Sequence, residues 1–165
     1  MRKELYKAIC ERLEKLCVTP DGWHMVVEPG QEIPEGWERL IKHIDLWNHN
    51  VEFIEQEENW ERPAVFVEFK PIQWNAIKNG VEYRAEAVVD LHVVTDWQGS
   101  ASIDSPFREE SLKVFDILDA IHTLLVDMSG ETFAEFDLVG SSTSHNHDEL
   151  LENVESYQCV GIRSL

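Results

Sequence analysis

The sequence predicts a single α+β domain in which two main helices pack on one face of an antiparallel or mixed β-sheet. A chain of 165 residues fits one domain with a sizeable hydrophobic core. Apolar residues recur at helical spacing in two segments. Between and after these segments, apolar residues alternate with polar ones, which is typical of strands. The predicted order of elements is α-β-β-α-β-β, and residues 1–165 form one unit.

The first predicted element is an amphipathic helix over residues 2–17. Its apolar side chains recur at helical spacing: Leu5, Ile9, Leu13 and Leu16. Pro20 and Gly22 end this helix, since both residue types disrupt helical backbone. The following segment, residues 18–61, shows no clear periodicity and is predicted to be irregular.

A long β-hairpin is predicted in the middle of the chain, with residues 63–76 and 81–95 as its two strands. The first begins with a run of β-branched and aromatic side chains. In the second, alternate residues from Ala85 to Val93 are apolar, and the intervening ones are largely polar. This alternation indicates a half-buried antiparallel strand, with His92 interpreted as a surface histidine on its polar side.

The turn of this hairpin is predicted at Asn79-Gly80, because both residue types tolerate a positive φ angle. A two-stranded hairpin of this length needs a surface to pack on. The apolar residues near its tip are Ile72, Trp74, Ile77 and Tyr83. They are candidates for a contact between subunits, the alternative being that they fold back on the core of their own chain.

A second helix and two further strands complete the predicted fold. The helix has an apolar stripe formed by Leu112, Phe115, Leu118, Ile121 and Leu125. Gly130 is predicted to end it. Residues 132–140 and 153–163 have strand-like patterns, and the polar segment between them is expected to be a solvent-exposed loop.

The charge distribution disfavours ordinary nucleic-acid binding. The chain has 14 basic and 32 acidic side chains, a formal net charge of −18, and no Lys or Arg from Val114 to Ile162. Such a surface repels a phosphate backbone. The sequence has no apolar run long enough to span a membrane, and its first residues do not resemble a secretory signal. Its three cysteines lack a disulfide framework, so reduced thiols in a cytosolic setting are expected.

The segment SHNHDE, residues 144–149, has the side chains of a metal site but lacks its full ligand set. His145 and His147 can point the same way from an extended chain, so a two-histidine clip is possible. A catalytic zinc needs three protein ligands, and Asp148 would point elsewhere. We therefore predict a solvated loop without a metal. A metal-dependent hydrolase using His145 and His147 is the least favoured alternative.

The sequence also lacks other catalytic signatures. The segment GSSTS, residues 140–144, lacks the second glycine of a nucleophile elbow. It contains no glycine-rich phosphate loop or dinucleotide fingerprint. Cys159 lies in a strand pattern and is interpreted as a buried core residue rather than a nucleophile. We therefore predict neither an enzyme nor a bound cofactor.

Five segments of the chain resemble the tail-terminator, or tail-completion, proteins of tailed bacteriophages, in the version carried by prophages of Bacteroidetes-type bacteria. In chain order they are IKHIDLWNHNVEF, ERPAVFVEF, GVEYRAEAVVDLHVVTDW, VFDILDAIHTLLVDM and SSTSHNHDELLENVESYQC. The resemblance covers most of the chain and is weakest over residues 18–40. The resemblance depends on the order of the predicted elements and on these five segments, and not on a catalytic motif.

This resemblance implies a structural function. Proteins of this family are small α+β subunits that close into a ring, commonly a hexamer. The ring caps the tail tube and joins the head connector, so the expected partners are further copies of the chain, the tail tube protein and the head–tail connector proteins. The expected location is the cytoplasm of the bacterial host during assembly and then the virion tail. The alternative is a non-catalytic adaptor or regulatory protein that binds its partner as a monomer or dimer.

Overall fold

Two helices and two β-sheets make up the described part of the chain, which is residues 1–48, 60–78, 80–144 and 148–164 of the computed structural model. The helices are α1 (Arg2–Leu13) and α2 (Arg108–Leu125). The strands are β1 (Leu16–Val18), β2 (His24–Val26), β3 (Glu38–Arg39), β4 (His43–Leu46), β5 (Ala64–Phe69), β6 (Asn75–Lys78), β7 (Glu82–Asp96), β8 (Phe133–Ser144) and β9 (Leu150–Ser164). These elements confirm the predicted α+β class. Within the described residues, neither helix is long and apolar enough to cross a membrane.

The larger sheet has the strand order β4-β5-β7-β9-β8, and β6 also pairs with β7. β4 and β5 run parallel and the other pairs are antiparallel, so the sheet is mixed. β7 and β9 pair along their whole length, from Glu82 opposite Ser164 to Asp96 opposite Leu150. β7 is therefore the strand around which the sheet is built.

The predicted hairpin is present, with an interruption in its first strand. β5 pairs with the second half of β7 and β6 pairs with its beginning, while residues 70–74 link β5 to β6. The pairing register shifts between Ala76 and Lys78. Gly80 has a φ angle of 71°, which glycine adopts without strain. Asn79, the other predicted turn residue, lies outside the described residues.

Both helices pack on the same face of the larger sheet, as predicted. The fully buried side chains that they contribute are Leu5, Ile9, Leu13, Ile121 and Leu125. These share one hydrophobic core with side chains that alternate along β7: Ala87, Val89, Leu91 and Val93. Removing this apolar surface from water is the main favourable contribution to folding.

The segment after α1 differs from the prediction. The helix ends at Leu13, earlier than predicted, and Leu16–Val18 form β1. The β-branched residues just before Pro20 favour extended backbone over helix. β1 is the central strand of the smaller sheet, which has the order β2-β1-β3, and β4 lies at the edge of the larger sheet. The described part of residues 18–61 is therefore less irregular than the sequence predicts.

The two closing strands are longer than predicted. β8 continues to Ser144 and β9 begins at Leu150, so part of the predicted polar loop belongs to the sheet. Polar side chains bond across this part of the ladder, as in the 2.7 Å hydrogen bond that Ser141 Oγ donates to Glu155 Oε2. Such hydrogen bonds between polar side chains stabilise the strand pair here, so a polar sequence can form it.

Candidate functional site

The four candidate interface residues occupy different environments at the hairpin. Ile72 is half-buried and packs against the main core. Trp74 is half-buried, and its ring lies beside Gly161 of β9. Ile77 is 57% exposed, whereas Tyr83 is half-buried in β7. Of the four, Ile77 is the side chain that the fold leaves mainly on the surface, and Ile72 folds back on its own chain.

Other exposed side chains accompany Ile77 at the same end of the larger sheet. Two of them are apolar, Val81 at 48% exposure and Ile162 at 37%. We term the whole set of apolar and basic residues the hairpin end: Ile77, Lys78, Val81, Arg84, Ile162 and Arg163. Its three basic side chains are exposed, and the half-buried Glu82 is an acidic neighbour. The hairpin end therefore combines apolar surface with positive charge on a strongly acidic chain.

A buried charge network that the sequence did not predict lies on the sheet face opposite the helices. Its central residue is His92 of β7, which is 7% exposed. His92 Nε2 lies 2.9 Å from Glu68 Oε2, and His92 Nδ1 lies 3.4 Å from Glu152 Oε1. Lys70 Nζ lies 3.2 Å from Glu68 Oε1 and 3.1 Å from Asp90 Oδ2. These contacts connect β5, β7 and β9.

Aromatic side chains cover this network. The indole ring of Trp47 stacks on the imidazole of His92, with ring centroids 3.8 Å apart and an angle of 1° between the planes. Trp60 and Phe66 belong to the same smaller hydrophobic cluster, against which Trp47 packs. The prediction that His92 is a surface histidine is therefore wrong. The alternation in β7 identifies which residues share a face, but residues distant in sequence decide whether that face is covered.

The network favours the protonated form of His92. Burial disfavours the charged imidazolium, but hydrogen bonds to Glu152 and Glu68 and the charges of these carboxylates outweigh burial and raise the pKa of His92. A hydrogen bond to Asp90, with a second to Glu68, raises the pKa of Lys70 against the opposing effect of burial. Lys70 and the protonated form of His92 therefore offset part of the negative charge of the three carboxylates.

The same network includes side chains of the types that bind metals. Among the residues that the structure describes, Glu68, Asp90 and His92 place one potential ligand atom each within 4.8 Å of one another. The Lys70 ammonium already lies within ion-pair distance of Glu68 and Asp90. Both nitrogens of His92 also face carboxylates. We therefore interpret the network as an ion-pair cluster that joins three strands.

A groove of about 280 Å³, termed the α2 groove, lies on the helical face between α2 and the strands β8 and β9. Phe115, which the sequence placed in the apolar stripe of the helix, is 54% exposed at this groove. Leu118 and Leu138 add apolar surface. The exposed Asp119 and the buried Glu155 make its charge negative, and no Lys or Arg is among the described residues that line it.

Two nitrogen atoms of the α2 groove have no hydrogen-bond partner among the described residues. Asn153 is 3% exposed, and its Oδ1 accepts a 2.8 Å hydrogen bond from Thr143 Oγ1, but its Nδ2 is unpaired. His122 Nδ1 is buried and unpaired as well. Leaving a buried polar atom without a partner costs free energy. A bound group that offers hydrogen-bonding atoms would therefore be stabilised here.

The histidines of SHNHDE cannot be placed relative to these surfaces. His145 and His147 lie outside the described residues, so the absence of a metal at this segment stays a prediction. Cys159 is buried, in agreement with its interpretation as a core residue. Burial raises the pKa of the Cys159 thiol to about 11, which keeps it protonated and poorly nucleophilic near neutral pH.

Two comparisons of the sequence found no match. No protein-family model matches the chain. No curated protein matches it either. Its function is therefore inferred from the chemistry and geometry of its own surfaces, together with the resemblance carried by its sequence segments.

Proposed function

We propose that the chain is a structural, non-catalytic subunit of a ring, and that this ring acts like the tail terminator of a tailed bacteriophage. The observation that carries the proposal is the hairpin end, where Ile77 and Val81 remain largely exposed on a tight β-hairpin. Such side chains gain free energy when they are removed from water by a partner. The resemblance of five sequence segments to tail-terminator proteins supports a tail-terminator ring as the form of the assembly.

The proposed ring is a hexamer that caps the tail tube and connects it to the head. Its partners are further copies of the chain, the tail tube protein and the head–tail connector proteins. It assembles in the cytoplasm of the bacterial host and remains in the virion tail. A formal net charge of −18 supports this role, because an acidic ring does not hold the phosphate backbone of DNA that passes through it.

The proposal is tested by deleting the gene from the phage or prophage genome that encodes it. Without the terminator, tails should reach uncontrolled lengths and fail to join heads, which electron microscopy of induced lysates would measure. Supplying the wild-type chain from a plasmid should restore a fixed tail length. Tails of normal, fixed length in the deletion strain would contradict the proposal.

Two measurements on the purified chain separate the proposal from its alternatives. Size-exclusion chromatography with light scattering gives the mass of the assembly, and a stable monomer or dimer at all concentrations favours an adaptor or regulatory protein. Elemental analysis after dialysis tests the hydrolase alternative at His145 and His147. One equivalent of bound zinc, manganese or iron that is lost when both histidines are replaced by alanine would revive that alternative.

A further inference from the structure

The chain has two surfaces of complementary character, and each lacks a partner within the described residues. We propose that the hairpin end of one copy docks into the α2 groove of the next copy. This inference deepens the proposed self-assembly and rests on it. It names the two halves of a head-to-tail interface.

The charges of the two surfaces are opposite. Lys78, Arg84 and Arg163 are exposed at the hairpin end. The α2 groove contains Asp119 and Glu155, and it lies in the part of the chain that has no Lys or Arg from residue 114 to residue 162. Opposite charges across an interface favour association and fix the orientation of the partners. Two hairpin ends would repel each other, and so would two grooves.

The apolar side chains of the two surfaces also complement each other. Ile77 and Val81 project from the hairpin end, while Phe115 is exposed where it lines the α2 groove. Exposed aromatic residues next to a concave surface are typical of contacts between proteins. Docking would bury Phe115, which neither the core nor α2 itself covers.

The polar groups of the α2 groove indicate which polar groups the hairpin end of a second copy must supply. Among the described residues, Asn153 Nδ2 is a buried donor without an acceptor, and the exposed Asp119 lines the same groove. A β-turn carries backbone carbonyl oxygens, and the hairpin end adds the ammonium group of Lys78 next to its turn. The backbone carbonyl oxygen of Gly80 would satisfy Asn153, and Lys78 would pair with Asp119.

A copy cannot dock its hairpin end into its own groove. Both surfaces include residues of β9, with Glu155 in the groove and Ile162 at the hairpin end. Seven residues of extended strand place these two residues about 23 Å apart on a rigid sheet. The contact must therefore form between different patches of two copies, an arrangement that gives a closed ring when the rotation between neighbouring copies closes.

The experiment uses two variants, each with one surface disabled. The hairpin variant carries Ile77→Asn and Lys78→Ala, and the groove variant carries Phe115→Ala and Asp119→Arg. Sedimentation velocity up to about 1 mM protein should show that each variant alone self-associates roughly 30-fold or more weakly than the wild type. An equimolar mixture should form a 1:1 dimer that grows no further. In that dimer, the intact hairpin end of the groove variant occupies the intact groove of the hairpin variant.

Matched controls separate the interface from net charge and from folding. Lys7→Ala and Glu32→Arg make the same charge changes at exposed positions outside both surfaces, and they should leave self-association at the wild-type level. Circular dichroism and melting temperatures check that the variants are folded. If a double variant unfolds, the single changes Ile77→Ser and Asp119→Asn replace it, with smaller effects expected in the same direction.

Three outcomes would overturn the docking. A wild-type chain that stays monomeric at every concentration would do so, as would a mixture of the two variants that remains monomeric. Variants that associate as strongly as the wild type would show that assembly uses other surfaces, and the ring itself would remain tenable. Conversely, if the 1:1 dimer forms but the gene deletion leaves tails of normal length, the docking stands and the tail function is wrong.

Discussion

The two faces of β7 are buried by different means. On the helical face, Leu91 and its alternate neighbours are fully buried in the main apolar core, although the buried Glu155 of β9 lies opposite Leu91. On the opposite face, Asp90 and His92 are nearly as buried, at 8% and 7% exposure, but their neighbours are charged or aromatic. β7 therefore separates two buried regions. The region on the helical face is stabilised mainly by dispersion and the hydrophobic effect, and the region on the opposite face is stabilised by opposite charges.

This difference determines how each face responds to its surroundings. Apolar packing does not depend on protonation, whereas the His92 network stabilises the fold through charges that titrate and that salt can screen. Substitutions on the two faces should therefore differ in their pH dependence as well as in their size. Three predictions test this contrast, from the largest expected effect to the smallest.

On the helical face, Leu91→Ala should reduce the free energy of unfolding by about 2–5 kcal/mol, since it removes a fully buried side chain and leaves a cavity. The loss should be the same at low and high pH. Urea unfolding followed by circular dichroism measures it. The matched control is Ile103→Ala, which truncates a side chain that is 80% exposed and should have little effect. A pH-dependent loss for Leu91→Ala would contradict the distinction between the faces.

On the charged face, His92→Gln should reduce the free energy of unfolding by about 1–3 kcal/mol at about pH 6, because it leaves buried carboxylates without their cation. The folded-state pKa of His92 is raised above its ordinary value of 6.5. Its contribution is therefore complete below that value and is lost as the pH rises through the raised pKa.

The difference between wild type and His92→Gln should accordingly shrink as the pH rises from about 6.5 through the raised pKa of His92. Urea unfolding across this range, with NMR titration of the His92 ring, gives both quantities. Glu32→Gln, an exposed amide substitution, is the control and should leave the pH profile unchanged. A difference that grows with pH would show that His92 is neutral in the folded protein.

The smallest effect is expected at the edge of the network. Lys70→Met should reduce the free energy of unfolding by less than about 1 kcal/mol, because the Lys70 side chain is 41% exposed and its ion pairs are partly solvated. The loss should decrease further in high salt. Unfolding curves at low and high salt measure it. A loss as large as that of His92→Gln would place Lys70 at the centre of the network instead of its rim.

The helical face was predictable from the sequence, and the charged face was predictable only in part. Periods of about 3.6 and 2 residues identified α2, most of α1 and the apolar side of β7, because these patterns are local. The same period of two places Asp90 and His92 on one face, and Glu68 and Lys70 are spaced alike in the chain. That shared spacing was the available signal for the network. The network also includes Trp47, which stacks on His92, and Glu152, which contacts it. No local sequence pattern relates either residue to β7.

The hairpin end and the α2 groove were predictable to different degrees. The Asn79-Gly80 turn and the apolar residues beside it identified Ile77 as a surface candidate. The burial of Ile72 depends on how residues 70–74 fold against the core, which the sequence pattern does not specify. The exposure of Phe115 was not predictable from the pattern either. The apolar stripe of α2 is wider than the surface that it covers, so Phe115 lies at the margin of the stripe and remains exposed.

The pairing of β7 with β9 also affects synthesis on the ribosome. All fifteen residues of β7 lie opposite residues 150–164, which are translated only after α2 and β8. Until then, one edge of β7 has unpaired backbone groups next to its apolar residues, the condition in which nascent β-proteins aggregate. The cooperative folding step must therefore wait for β9. A translation pause between residues 96 and 150 should lower the yield of native protein more than a pause before β7.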